Sequence, residues 1–212
     1  RTLVANNGIG EGYVYLQVTR GVAPRDHAMP ADVAPTVFAM TGPLRSPTAE
    51  QRHHGVECVT ARDFRWERAD IKSISLLGNV LARQMSVDHG AAETILFRNG
   101  HLTEASSSNV WIASEGALLG PAKSEFVLEG VRYDLLRDLC EEECIAYNLR
   151  PIAEADVFAA DELLLTSASK EVLPVTRLDG EAVGHGALRG KPGPVYGRLY
   201  EAYQRAKAMQ SV

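Results

Sequence analysis

Cysteine is scarce in this 212-residue chain, and the three present are Cys58, Cys140 and Cys144. An odd number without paired spacing argues against a disulfide framework. Cys140 and Cys144 stand four apart in a segment of helical patterning, which would put both thiols on one helix face. No histidine or second cysteine pair lies near to complete a metal site, so helix packing is the plainer reading and no metal is expected. Long apolar runs are also missing: nothing approaches the roughly 18 residues of a membrane span. The opening Arg1-Thr2-Leu3-Val4 lacks the basic-then-apolar order of a secretory leader, so a bacterial-type cytoplasmic setting is expected. There is no excess of positive charge, with 27 acidic against 22 basic residues and a net charge of -5. That leaves no electrostatic case for nucleic acid or an anionic membrane as partner, and makes small molecules the default ligands. Internal repeats and low-complexity tracts are lacking as well. What is present is an ordinary globular composition, 45% hydrophobic with 18 glycines and 10 prolines, long enough for one large domain or two small ones.

Tyr13 to Thr19, Pro35 to Met40 and Val56 to Thr60 have the β-branched and aromatic content of short strands. The Gly, Pro and Ser cluster from Thr41 to Thr48 is the best linker candidate. Ile74 to Val87 carries Leu76, Leu77, Val80, Leu81 and Met85 at helical spacing and ends near Gly90. Asn99-Gly100, Glu115-Gly116 and Asp179-Gly180 follow apolar runs as hairpin turns do. Helices are expected over Val131 to Cys144 and Pro194 to Met209. An antiparallel sheet or barrel with helices packed outside it is the natural α+β arrangement.

Lysine is rare, with five against seventeen arginines. Lys123, Lys191 and Lys207 stand in polar turns or on a helix surface, where a solvated ammonium is expected. Lys72 precedes an apolar helix, where burial would depress its pKa and free the amine as a nucleophile; the alternative is a packed stem with its head in water. In Leu102 to Asn109, Glu104 precedes Ser106, Ser107 and Ser108. Either this is a polar turn, or it is an anion or cofactor site lined by hydroxyls with Glu104 as its fixed charge. Glu125 to Arg132 reads as strand, glycine, helix, and the free N–H groups of Val131 and Arg132 at the helix start would suit a phosphate. Thr166-Ser167-Ala168-Ser169 ends a second apolar strand with hydroxyls. Arg25 and His27 lie in a Gly- and Pro-rich loop that is either solvated or able to bind a carboxylate.

Jointly, GYVYLQVTRGVAPRDHAMP, DFRWERADIKSISLLGNVLARQ, LTEASSSNVWIA, FVLEGVRYDLL and TSASKEVLPVTRLDG resemble the fold type IV pyridoxal-phosphate enzymes, in family order across nearly the whole chain. Within that family the D-amino acid aminotransferases are most similar, and the intervals from Arg25 to Lys72 and from Lys72 to Glu104 match their pattern. The resemblance implies that Lys72 forms a Schiff base with pyridoxal 5'-phosphate and later shuttles the α-proton. It implies that Glu104 faces the pyridine nitrogen, that Leu128 packs on the ring, and that Val131 and Arg132 hold the phosphate through backbone amides. Arg25 and His27 match the pair that traps the substrate carboxylate, usually across a homodimer interface.

The chain departs from the family pattern in three ways. Arg132 stands where Thr is frequent, and Ala168 where relatives often have a phosphate-binding Thr, so that Ser167 or Ser169 would compensate. The third departure is the family's opening segment, which contributes an arginine to the phosphate; nothing here matches it, and roughly seventy residues, close to half a typical domain, are expected to be absent. The resemblance implies an α+β, two-domain fold. The remainder of a small α/β domain occupies residues 1–46, a linker 47–50, and a large cofactor-binding domain with a barrel-like sheet flanked by helices 51–212. The expected reaction is transamination between a D-amino acid such as D-alanine and a 2-oxo acid such as 2-oxoglutarate. The alternatives are a branched-chain aminotransferase, an aminodeoxychorismate lyase of the same fold, or a catalytically silent fragment.

Overall fold

The computed structural model describes residues 2–210. Its chain divides into two compact units, residues 1–45 and 46–212.

The first unit holds a short helix α1 (Thr2–Asn7) and an antiparallel ribbon of β1 (Gly12–Thr19) and β2 (Thr36–Pro43). Register runs from Gly12 opposite Pro43 to Thr19 opposite Thr36. Thr41 to Pro43, assigned to a linker from composition, are therefore strand. A two-stranded ribbon has too little surface to bury either face, and Val14, Leu16, Val18 and Val37 are all exposed.

The second unit is built on a curled, mixed sheet. It contains α2 (Ala49–His54), β3 (Val56–Arg62), α3 (Leu77–Asp88), β4 (Glu93–Arg98), β5 (His101–Ala105), β6 (Asn109–Ser114), β7 (Ala117–Gly120) and α4 (Arg132–Glu142). After these come β8 (Tyr147–Leu149), α5 (Glu154–Phe158), β9 (Glu162–Ser167), β10 (Glu171–Leu178), β11 (Glu181–Ala182) and α6 (Pro194–Gln210). Strand order is β5-β4-β3-β10-β9-β6-β7-β8, with β11 paired to β10. Pairs β3/β4, β3/β10 and β7/β8 are parallel. The expected antiparallel meander is thus only part of the sheet.

Side-chain alternation puts apolar residues on both faces. Val110, Ile112, Leu163, Leu165, Leu173 and Val175 fill one core. Trp111, Leu164 and Val172 turn the other way, against Leu136 and Leu139 of α4 and Val195 and Leu199 of α6. Covering on both sides explains the unbroken Leu163-Leu164-Leu165 run.

All three dipeptide turns are hairpins with positive φ at both residues: Asn99 and Gly100 at 52° and 76°, Glu115 and Gly116 at 51° and 78°, Asp179 and Gly180 at 50° and 81°. That is the turn whose twist suits paired strands. Other expectations are corrected. Residues 49 and 50 belong to α2 rather than a linker, because Thr48 and Gln51 form a reciprocal capping box: Gln51 N donates to Thr48 Oγ1 at 3.1 Å and Thr48 N to Gln51 Oε1 at 3.0 Å. α4 ends at Glu142, and Cys144 lies beyond it with φ 50°, so the two thiols share no helix face. Glu125 to Leu128 form no strand. Their backbone is held by other partners, Glu125 O by Asp70 N at 3.2 Å and Leu128 N by Glu104 Oε2 at 3.1 Å. Among the described residues no helix is long and apolar enough to cross a membrane.

Candidate active site

Four segments of the second unit converge on a cleft of about 660 Å³. They are the irregular stretch before α3 continuing into α3 itself (Asn79, Val80, Arg83 and Gln84), the β5–β6 connection, the loop leading into α4, and the turn between β9 and β10. Of the residues singled out from sequence, Lys72, Glu104, Leu128, Val131, Arg132, Ser167 and Ala168 all line it. Arg25 and His27 do not. They lie in the exposed loop between β1 and β2, where Asp26 Oδ1 accepts from His27 N at 2.6 Å and Ala28 N at 3.3 Å.

Lys72 is exposed, contrary to the burial expected of it. The reason lies in α3, which starts at Leu77 and turns its small residues inward. Ala82 and Ser86 are buried, while Leu77, Val80 and Leu81 face outward and Ile71, Ile74 and Leu76 ahead of them are also exposed. The apolar stripe at helical spacing is exposed in this chain, so these side chains do not bury the amine.

Glu104, near the end of β5, is buried and held on both oxygens. Oε1 accepts from Arg65 Nη1, and Oε2 from Leu128 N at 3.1 Å and Asn109 Nδ2 at 3.3 Å. Asn109 Nδ2 also donates to Leu128 O at 2.8 Å, and two acceptors on one nitrogen fix the amide's orientation. Gly130 allows this packing, because a Cβ there would come within 2.2 Å of Asn109 Oδ1. Arg65 is buried between two carboxylates. It grips Asp63 through Nε to Oδ1 at 3.0 Å and Nη2 to Oδ2 at 2.9 Å, and reaches Glu104 with Nη1. Burial works to raise Asp63, but the hydrogen bonds and charge of Arg65 outweigh it and hold the carboxyl below its usual range. For Glu104 the balance reverses: desolvation wins over the Arg65 guanidinium and the carboxyl sits above its usual range.

The serine run does not present its hydroxyl protons to the cleft. Ser106, Ser107 and Ser108 all donate to Glu93, a fully buried carboxylate at the start of β4, with Ser108 Oγ at 2.9 Å. Burial pushes Glu93 up, but the Lys170 ammonium and the serine hydroxyls outweigh it and hold the carboxyl below its usual range. An ionised carboxylate only accepts, so each serine turns its single proton inward.

The opposite wall offers donors. Arg132 opens α4, whose first N–H groups have no intrahelical acceptor and whose dipole favours an anion. Its guanidinium donates from Nε to Ser167 O and from Nη2 to Ala168 O, both at 3.3 Å, and lies 4.9 Å from the Tyr203 ring centre. Ser167 Oγ accepts from Lys170 N at 3.1 Å and lies 3.5 Å from Ser169 Oγ, so the two hydroxyls together retain one proton for another acceptor. Thr166, also in the wall, accepts from Trp111 Nε1 at 2.9 Å.

Sequence reasoning passed over Arg65, Asn109, Glu93 and Lys170 as individual residues. For Glu93 a signal existed: a carboxylate leading the apolar strand Thr94-Ile95-Leu96-Phe97 asks for a buried partner. For Arg65 the signal was its place between Asp63 and Lys72 in the same motif.

Residues 1–178 match the family Amino-transferase class IV. The D-alanine aminotransferase of Bacillus licheniformis is 39% identical over 206 residues, covering 97% of this chain and 71% of that protein. That of Staphylococcus haemolyticus is 37% identical with the same coverage. The branched-chain amino acid aminotransferase of Escherichia coli superposes with a TM-score of 0.84 at 23% identity, covering 96% of this chain and 68% of that one. The putative 4-amino-4-deoxychorismate lyase from Legionella pneumophila superposes at 0.83 and 18% identity, covering 96% and 73%. At those identities the superpositions speak for the α+β fold, whereas the sequence match extends to the family: the chain belongs to the class IV aminotransferases.

Proposed function

We propose that the protein transfers an amino group between a D-amino acid, such as D-alanine, and a 2-oxo acid, such as 2-oxoglutarate, with pyridoxal 5'-phosphate held in the cleft. Convergence of Lys72, the braced carboxylate of Glu104 and the donor-bearing wall of α4 on one cavity carries this assignment. The D-amino acid preference is taken from the relatives at 39% and 37% identity, which are named D-alanine aminotransferases.

The residues fit such a cofactor by their chemistry: one primary amine, one buried carboxylate, and a helix start with the Ser167 and Ser169 hydroxyls beside it. Bound there, the cofactor supplies a carbonyl for the amino group and a ring that withdraws the electrons left by the departing α-proton. Lys72 Nζ is assigned the covalent link and the transfer of that proton at the substrate Cα, both of which require its neutral form. Glu104 is assigned the ring nitrogen, whose proton an ionised carboxylate would hold; a cation brought against it would draw its pKa back down. Leu128 is assigned to the ring face, and Val131, Arg132, Ser167 and the backbone of Ala168 to the phosphate. Arg25 and His27 are assigned the substrate carboxylate.

The functional unit is proposed to be a homodimer in the cytoplasm. The exposed apolar residues Ile74, Leu77, Val80 and Leu81 support it, because covering them would also dry the neighbourhood of Lys72. The free cysteines suit a reducing compartment.

Turnover of D-alanine with 2-oxoglutarate, measured beside L-leucine, tests the assignment. Activity on D-alanine that vanishes in Lys72→Ala is the expected result. Turnover of L-leucine alone rejects the D-amino acid reading.

A further inference from the structure

One ion pair joins two cleft segments that are distant in sequence. Lys170 Nζ donates to Glu93 Oε1 at 2.7 Å, to Ser108 Oγ at 3.0 Å and to Ser107 Oγ at 3.1 Å. Those bonds use all three protons of an ammonium. Glu93 in turn gathers Ser106, Ser107 and Ser108 from the β5–β6 connection. Lys170 closes the β9–β10 turn, with its backbone N–H on Ser167 Oγ. The same turn is held from the other side by the Arg132 guanidinium on the carbonyls of Ser167 and Ala168. The turn is thus suspended between a buried carboxylate in the sheet and the first residue of α4.

The arrangement also sorts protons. Ser107 and Ser108 donate to Glu93 and accept from Lys170, so neither has a proton for a ligand. Ser167 accepts from Lys170 N and shares a 3.5 Å contact with the Ser169 hydroxyl, so this pair keeps one proton for a ligand. The turn and the helix start therefore offer donors to an anion, whereas the serine hydroxyls of the β5–β6 connection offer none.

We propose that Glu93 and Lys170 are positioning residues for the anionic group of the ligand. They set the Ser167–Ser169 turn against the start of α4, so that a phosphate monoester meets donors already in place. Neither side chain needs to touch the ligand. This rests on the cofactor assignment above, and goes beyond it in naming what presets the phosphate end.

Titration of cofactor-free protein with pyridoxal 5'-phosphate and, separately, with pyridoxal, followed by absorbance, tests it. Pyridoxal differs only in lacking the phosphate. Lys170→Met is expected to weaken the phosphorylated ligand by roughly tenfold or more and to leave pyridoxal within about twofold of the parent. Glu93→Gln/Lys170→Met removes both charges together, leaves no uncompensated buried ion, and is expected to show the same selective loss with a melting temperature near the parent's. Equal weakening of both ligands, or of neither, overturns the proposal. Absence of any pyridoxal 5'-phosphate binding by the parent would overturn the cofactor assignment and this inference with it, a different outcome from a variant that binds both ligands alike.

Discussion

Arg65 donates from Nη1 to Glu104 inside the protein while its Nε–Nη2 edge is held by Asp63, so one cleft carboxylate is braced by a cation seven positions before Lys72. Removing the cation with Arg65→Met leaves two buried carboxylates facing each other. The expected cost is about 3–5 kcal/mol, the usual consequence of breaking a buried pair by deleting one partner, seen as a fall in thermal or denaturant midpoint. Arg65→Lys keeps the charge but not the planar fork and is expected to fall between. A midpoint unchanged in Arg65→Met would refute the bracing role.

Glu171 makes a second buried junction. Its carboxylate accepts from Arg52 at 2.7 Å, Lys207 at 2.9 Å and Gln204 at 3.2 Å, tying α2 and α6 to the start of β10. Burial works to raise Glu171, yet Lys207 and Arg52 outweigh it and hold the carboxyl below its usual range. A depressed carboxyl stabilises the fold above its unfolded pKa and loses that contribution as pH falls through the folded one. Stability is therefore expected to drop on acidification below the ordinary carboxylate range. Glu171→Gln should lose about 2 kcal/mol at neutral pH and show a shallower acid limb. Melting curves at a series of pH values check this; parallel curves for the two proteins contradict it.

Gly130 leaves no room for a side chain beside the Asn109 amide. A methyl group 2.2 Å from Asn109 Oδ1 forces that amide off Leu128 O and Glu104. Gly130→Ala is expected to cost about 1–3 kcal/mol from overpacking, and to weaken cofactor binding more than a surface substitution of equal cost. Titration with pyridoxal 5'-phosphate and a melting curve check this, and an unchanged affinity and midpoint in Gly130→Ala would refute the close contact.

What the sequence revealed and what it hid follow from the range of the physics involved. Asn99-Gly100, Glu115-Gly116 and Asp179-Gly180 were legible because left-handed backbone is a local demand that few residues meet. The parallel pairing of β10 with β3 was not, since alternation reports which face a residue takes and not which strand lies beside it. Phe126-Val127-Leu128 looked like a strand by composition, yet its backbone is bound by Arg65 and Glu104 side chains. Lys72 and Glu104 stood out through their motifs. The charges that brace the cleft, Asp63, Arg65, Glu93 and Lys170, look like surface residues in one dimension and are recognised only when each is seen opposite another. The helical spacing of Leu77, Val80 and Leu81 was legible, but their exposure was not, because period alone does not say what covers a face.

The assignment of Arg25 and His27 to substrate binding from the second copy of a homodimer has a direct consequence for mixtures. Lys72→Ala removes the amine and Arg25→Ala the carboxylate grip, so each homodimer is expected to be inactive toward D-alanine. When the two are co-expressed, half of the dimers formed at random are hybrids. In a hybrid, one site combines Lys72 with Arg25 from the two different chains and carries neither lesion, while the other site carries both. Recovery of about a quarter of the parent's activity is therefore expected. If both residues instead acted within one chain, every site in every hybrid would carry a single lesion and the mixture would stay inactive. Turnover of D-alanine by the co-expressed pair, with each variant alone as control, separates the two arrangements.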